Sequence, residues 1–323
     1  MLILSLAIAL FFFLLSSVSD GPDYSAFDIQ SGMGFRGISE KLYDEGFIRS
    51  PRIFIIYGAL TGAAHQLKPG SYLLSAGSST PAILNIIEKG PTIDAEVTFP
   101  EGMTLKDMDS VLADKGILPK GSIFKVSLKE LKIKYSFLAN ARSLEGFLFP
   151  DTYRFYKQGE SRKVVEKILD NFALKAQPLI VNNKLSIINY QLLIVASLLE
   201  KEAPEYRDKQ LIAGIIYKRI QLGMALQIDA TITYAKCLGA FITCADPKVY
   251  RNDLDFQSPY NTYLHNELPP GPIGNPGVDS IKAALNPIKS DYLYYLSDPK
   301  TKKTIFSRTL EEHIDNRARY LTM

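Results

Sequence analysis

The residues with the clearest capacity for chemistry lie in the second half of the chain. Ala196-Ser197-Leu198-Leu199-Glu200-Lys201-Glu202 places two carboxyls and an ammonium at the end of Gln191–Ala203, a segment of good helix formers with five consecutive apolar residues from Leu192 to Ala196. Such a helix is buried on nearly all sides. Ser197 and Ala196, three and four residues before Glu200, share its face and are small enough to leave room for an approaching group. A carboxyl against an apolar helix face is disfavoured as an anion, keeps its proton toward neutrality and meets the requirement for a general acid at a leaving oxygen. Glu202 falls about 200° further round the helix and addresses another face. The competing reading pairs Glu200 with Lys201, Arg207 or another cation near the helix end, since perturbed carboxylates also occur in structural ion pairs.

Three more clusters of polar, aromatic and Gly/Pro residues accompany this one: Leu144 to Tyr153, Leu226 to Thr231, and Ser258 to Tyr263 running on to Leu268–Ile273. Each has a bland alternative. Glu145 and Asp151 flank a turn before Pro150 and serve equally well as capping or salt-bridging groups, and Tyr260 to Tyr263 reads equally as a packed loop. The chain has two cysteines, Cys237 and Cys244. In an oxidising compartment their spacing closes a small disulfide loop if the backbone turns back, and otherwise leaves two thiols. Two such residues do not define a metal site, and neither metal nor cofactor is expected.

The elements ahead of this region follow a repeat. Gly32, Ile38, Leu42 and Gly46 match Gly102, Met108, Leu112 and Gly116 at a constant offset, and Gly77, Ile83, Ile87 and Gly90 form a middle copy. Each copy reads as a strand, a glycine turn and a short helix with an apolar stripe and a glycine end, a unit that must pack on its neighbours to bury a face. No acid/base pair or phosphate loop stands out among them. The arrangement resembles LysM-like modules that bind N-acetylglucosamine polymers, with plain scaffolding as the alternative.

With 46% hydrophobic residues and a formal net charge of +3, the composition is that of an ordinary globular protein, and the interspersed charges argue against nucleic-acid binding. Met1 to Ser19 contains no charged side chain. As a helix it would reach about 28 Å, so a single transmembrane anchor is expected, with a cleavable signal peptide ending near Ser17-Val18-Ser19 as its rival. No second spanning stretch follows, so the rest of the chain is expected on one side of the membrane.

Taken in order, the four clusters, together with Asn275-Pro276-Gly277, Ser280 to Pro287, Tyr292 to Tyr295 and Glu312-His313, resemble the MltG (YceG-like) endolytic murein transglycosylases over nearly the whole chain. The resemblance implies an α+β protein with an N-terminal transmembrane helix (1–19), a LysM-like glycan-binding or spacer region (20–140) and an α-rich catalytic domain (141–323) outside the cytoplasm. It implies that Glu200 is the catalytic acid/base, and that Glu145, Gln227, Asp229, Tyr260, Asn261 and Tyr263 line the glycan groove. The implied reaction cuts the MurNAc–GlcNAc bond of nascent strands, leaves 1,6-anhydro-MurNAc ends and stops elongation; peptidoglycan is the implied substrate and peptidoglycan synthases are implied partners. A hydrolytic muramidase with a second carboxylate, or a non-catalytic peptidoglycan-binding scaffold, are the alternatives. Ala230 departs from the family's usual Pro, and Thr304 stands where a His is frequent.

Overall fold

The computed structural model describes residues 2–21, 23–30, 32–63, 67, 70–90, 95–155, 160–181 and 190–321. The chain forms two compact units, one of residues 1–96 with 154–157 and one of residues 97–153 with 158–323.

In the first unit, helix α1 (Leu2–Leu15) precedes strand β1 (Tyr24–Ile29), helices α2 (Phe35–Asp44) and α3 (Pro51–Thr61), strand β2 (Gly70–Ser75) and helix α4 (Thr80–Lys89). Strands β1 and β2 pair antiparallel, from Tyr24 opposite Ser75 to Ile29 opposite Gly70. The stripe residues of the repeat, Ile38 and Leu42 on α2 and Ile83 and Ile87 on α4, pack with Phe27, Phe54, Tyr72 and Leu74 into one apolar core. Ser50 and Ser79 cap α3 and α4, each with a proline in the first turn.

The expected transmembrane helix does not form. Helix α1 has 14 residues, about 21 Å at 1.5 Å per residue, against a hydrocarbon core of about 30 Å. Among the described residues no helix is long and apolar enough to cross a membrane. The reason lies in the contacts that follow its last turn: the Ser16 hydroxyl donates back to the Phe13 carbonyl at the helix end. Beyond it the Arg49 guanidinium donates to the Ser17 carbonyl, and the Val18 and Ser19 amides donate to the Ala76 carbonyl. Residues 16–19, which a span would need, are therefore folded back as part of this unit.

The α+β character does hold. Strand β3 (Ala95–Thr98) pairs with β4 (Thr152–Phe155), and the chain passes from one unit to the other within these strands. The second unit then contains α5 (Leu105–Asp114), α6 (Leu128–Lys134), α7 (Ser161–Lys175), α8 (Gln177–Val181), α9 (Tyr190–Glu202), α10 (Tyr206–Gln221), α11 (Asp229–Lys236) and α12 (Val278–Leu285). It ends in an antiparallel pair, β5 (Tyr294–Ser297) and β6 (Thr304–Ser307), and helix α13 (Leu310–Tyr320). Helix α9 is buried continuously from Leu192 to Leu199, as its apolar run requires, and stops just before Pro204. Helix α12 packs on both α9 and α10.

Candidate functional site

Glu200 is the last but two residue of α9, and its side chain is only 7% exposed. One carboxylate oxygen, Oε1, accepts from the Lys209 ammonium at 2.8 Å, and Lys209 is itself buried. The other, Oε2, accepts the Gly277 amide at 2.8 Å, the N-cap of α12. The carboxylate thus joins the ends of three helices, held by one full charge and by the partial positive charge of a helix N-terminus. The cation is Lys209, not Lys201 or Arg207, the two named from the sequence. Ser197 does not leave open space beside Glu200, because its hydroxyl accepts the Ile273 amide at 3.0 Å and donates to the Ile194 carbonyl.

The chain approaches Glu200 closely at two glycines. Gly102, at φ +76°, presses its Cα side against the Glu200 Cγ, so that an added methyl would sit 3.1 Å from it. A methyl on Gly277 would collide with the Glu101 carboxyl. The main chain here is fixed by Asn275: the Gly102 amide donates to the Asn275 carbonyl at 2.7 Å and the Asn275 amide to Met103. The buried Asn275 amide group accepts from the Gly146 and Leu148 amides and donates to the Met103 carbonyl and to Glu145. One side chain therefore ties together the turns at 102–103, 145–148 and 275–277.

The expected groove residues fall into two sets. Glu145 is buried, accepts the Leu105 amide at the start of α5 at 2.9 Å and the Tyr234 hydroxyl at 3.2 Å, and is pushed up to about 8 by burial. The Tyr260 ring lies 4.9 Å from that of Tyr234, and its hydroxyl faces Gly271. These two residues thus meet through Tyr234. The second set gathers at the start of α11. The Tyr263 hydroxyl donates to Asp229 at 2.6 Å, and the exposed Gln227 takes a left-handed φ of +54°, rare for a non-glycine, with its amide on the Thr262 carbonyl. Asn261 is fully buried and spends its side chain on its own loop, donating to Leu254 and Phe256 and accepting from the Tyr263 amide. Glu202, on the far face of α9 as its spacing requires, bonds the Tyr295 hydroxyl and is pushed up to about 7 by burial.

The two cysteines form a disulfide with Cα atoms 5.3 Å apart. Within the loop it closes, the Phe241 and Ile242 amides donate to the Asp107 carboxylate, and the Lys201 ammonium lies 4.0 Å above the Phe241 ring. Burial lowers the Lys201 pKa, with Asp107, Glu200 and Glu145 opposing that shift.

The second unit is thus an α+β frame whose helix ends converge on one clamped glutamate. The YceG-like family model matches residues 27–319, and the chain belongs to this family. It is 32% identical to an endolytic murein transglycosylase of Bacillus subtilis, over 91% of this chain and 84% of that protein. It is 29% identical to an endolytic murein transglycosylase of Streptococcus pneumoniae over 94% of this chain, spanning 59% of the pneumococcal protein's length. A putative yceG-like protein of Listeria monocytogenes, known from a crystal structure, superposes with a TM-score of 0.60 at 32% identity, over 92% of this chain and 100% of that one.

Proposed function

We propose that this chain is a peptidoglycan lytic transglycosylase that cuts glycan strands internally. The observation that carries this is the placement of Glu200, one buried carboxyl fixed between Lys209 and the Gly277 amide where three helix ends meet. Family membership and the names of the relatives support the same reading.

In this reading Glu200 delivers a proton to the glycosidic oxygen between MurNAc and GlcNAc as the bond to the anomeric carbon breaks. The muramic acid 6-hydroxyl closes on that carbon and returns its proton to Glu200, leaving a 1,6-anhydro end. Strand growth stops there. Asp229, Tyr263, Gln227 and Tyr260 contact the strand, while Glu145 and Asn261 hold the loops that present them. Residues 20–140 act as a LysM-like glycan-binding or spacer region and 141–323 as the catalytic region, with Gly102 of the former lying against Glu200. Since peptidoglycan lies outside the cytoplasm, the chain works there, beside the synthases that extend the strands.

A hydrolytic reading has one observation in its favour, a second carboxyl, Glu101, across Gly277 from Glu200. Two carboxyls are the usual equipment of a hydrolase. Digestion of purified glycan strands by the full chain tests the proposal. Internal fragments with anhydro ends are expected; strands bound but left uncut would turn the assignment to a scaffold.

A further inference from the structure

Lys201 follows Glu200 by one residue, and the proposed reaction leaves it unused. Its ammonium lies 4.0 Å over the Phe241 ring. A methyl added at Gly102 would sit 3.3 Å from the Lys201 Nζ and 3.1 Å from the Glu200 Cγ. The two side chains therefore pass the same point of the main chain, and a strand seated at Glu200 comes within reach of this ammonium. The residue is half-buried, so part of it stays open to solvent.

The carboxylates that act on Lys201 are Asp107, Glu200 and Glu145, and they act through charge alone. Each is committed elsewhere. Asp107 accepts the Phe241 and Ile242 amides and the Thr104 hydroxyl. Glu200 accepts Lys209 and the Gly277 amide, and Glu145 accepts the Leu105 amide and the Tyr234 hydroxyl. Among the described residues no oxygen comes within hydrogen-bond or ion-pair distance of the Lys201 Nζ. An ammonium carries three donors, and the face of an aromatic ring attracts its charge without offering an oxygen lone pair. The charge of Lys201 is thus balanced from a distance, while its N–H groups still call for acceptors. A further carboxylate would add to three already present; a neutral carbonyl oxygen meets the requirement without doing so.

We infer that Lys201 is a substrate-binding residue that donates to an amide carbonyl of the strand beside the bond that is cut. Both sugars at that bond are N-acetylated, so an acetamido carbonyl lies on either side of the oxygen that Glu200 addresses. The amide that joins a muramic acid lactyl group to a stem peptide is a second source of the same chemistry. Phe241 acts as the support of this residue: its ring holds the ammonium beside Gly102, and Asp107 holds its amide.

The inference rests on the proposed glycan substrate, and its test is a cycle between enzyme and strand that reads kcat/KM whichever ends the products carry. The full chain and its Lys201→Met variant are compared on N-acetylated strands, on the same strands de-N-acetylated, and on strands freed of stem peptides. On N-acetylated strands Lys201→Met should cost about tenfold, as a rise in KM with kcat little changed. On de-N-acetylated strands the cost should vanish, because the amine left behind is no acceptor when protonated. A cost that vanishes with the stem peptide instead assigns the acceptor to the lactyl amide. An equal cost on all three, as a lysine that only braces the fold would give, overturns the proposal, and so does no cost on any. Should the variant fail to fold, or strands go uncut, lysine ¹³Cε NMR of the full chain carrying Glu200→Gln gives the answer from binding. The Lys201 signal, set apart by the Phe241 ring, should move when N-acetylated, peptide-bearing strands are added. Strands that bind while this signal stays in place would overturn the role of Lys201, and strands that do not bind would overturn the glycan reading and this inference with it.

Discussion

The two compact units bury different kinds of residue. Among the described residues of the first unit, the buried polar side chains are hydroxyls, Ser39, Ser75 and Thr80, set around Phe27, Phe54 and Tyr72. The second unit buries Asp107, Asp109, Glu145, Lys209 and Arg219. Removing an ion from water costs several kcal/mol unless it is paired and hydrogen-bonded. The second unit meets that condition with specific partners: Lys209 on Glu200, Arg219 on the Leu293 and Leu226 carbonyls, and Asp109 on the Gly121 amide. Desolvated charge of this kind adds little net stability, and its concentration in one unit is what supports the proposed placement of the chemistry there. The same contrast recurs within α9, where Glu200 has a cation and Glu202, two residues on, bonds a tyrosine hydroxyl.

The sharpest way to break this contrast is Glu200→Gln. Loss of a general acid costs about 10² to 10⁴ in rate, and because one group serves both proton transfers in the proposed reaction the upper end is expected. Turnover on glycan strands measures it, with a thermal melt to check that Lys209, left without its counter-charge, has not unfolded the site. Substantial residual turnover would move the chemistry elsewhere.

Next in size is Asn275→Ala. The Gly146 and Leu148 amides would lose their acceptor, and each buried donor left unsatisfied costs about 1–3 kcal/mol. Denaturant unfolding should show a drop of several kcal/mol, and cleavage should fall with it. A drop under about 1 kcal/mol would mean that water replaces the side chain and that Asn275 does not tie the turns.

Glu202 supplies the pH test. Its folded value of about 7 lies above the ordinary 4.5, so between these values the folded chain binds the proton that the unfolded chain has released. Stability therefore falls as pH rises through that window, by up to about 3 kcal/mol from this group. Glu145, at about 8, extends the fall in the same direction. Glu202→Gln should remove its own share of the fall from about pH 4.5 to 7, leaving that of Glu145 and leaving cleavage little changed. An unaltered pH slope would show that Glu202 is not desolvated as described, and a collapse of activity would make it part of the chemistry.

How much of this was legible beforehand differs by element. The strand–glycine–helix repeat and the buried face of α9 follow from local periodicity, and both formed where the sequence placed them. Length and apolarity also suggested a span for residues 1–19, but the Arg49 guanidinium that donates to the Ser17 carbonyl and the acceptor carbonyl of Ala76 lie far along the chain and override that local signal. Lys209 went unnoticed because its bond to Glu200 forms only when α10 folds back past Pro204. It did leave a trace: Lys209, Ile212, Ala213 and Ile216 form one helical stripe, so the lysine stands at a position that should be buried. Asn275 and Gly277 were seen as parts of a motif, yet nothing local reveals that one amide group joins three turns.

The smallest effect is expected at the disulfide. Replacing Cys237 and Cys244 with serine should lower stability by about 2 kcal/mol, as for a short closed loop, and leave cleavage unaltered, because Asp107 still holds the Phe241 and Ile242 amides. Activity lost with the fold intact would place this loop in the site.

The central claim is that the chain cuts glycan by internal attack of the 6-hydroxyl with Glu200 moving the protons, and digestion in ¹⁸O-labelled water addresses it most directly. If the account holds, mass spectra of the wild-type fragments will show muramic acid ends lighter by one water than hydrolytic ends and free of the label. Reducing ends carrying one ¹⁸O would mean that water, not the 6-hydroxyl, attacks the anomeric carbon, and would contradict it.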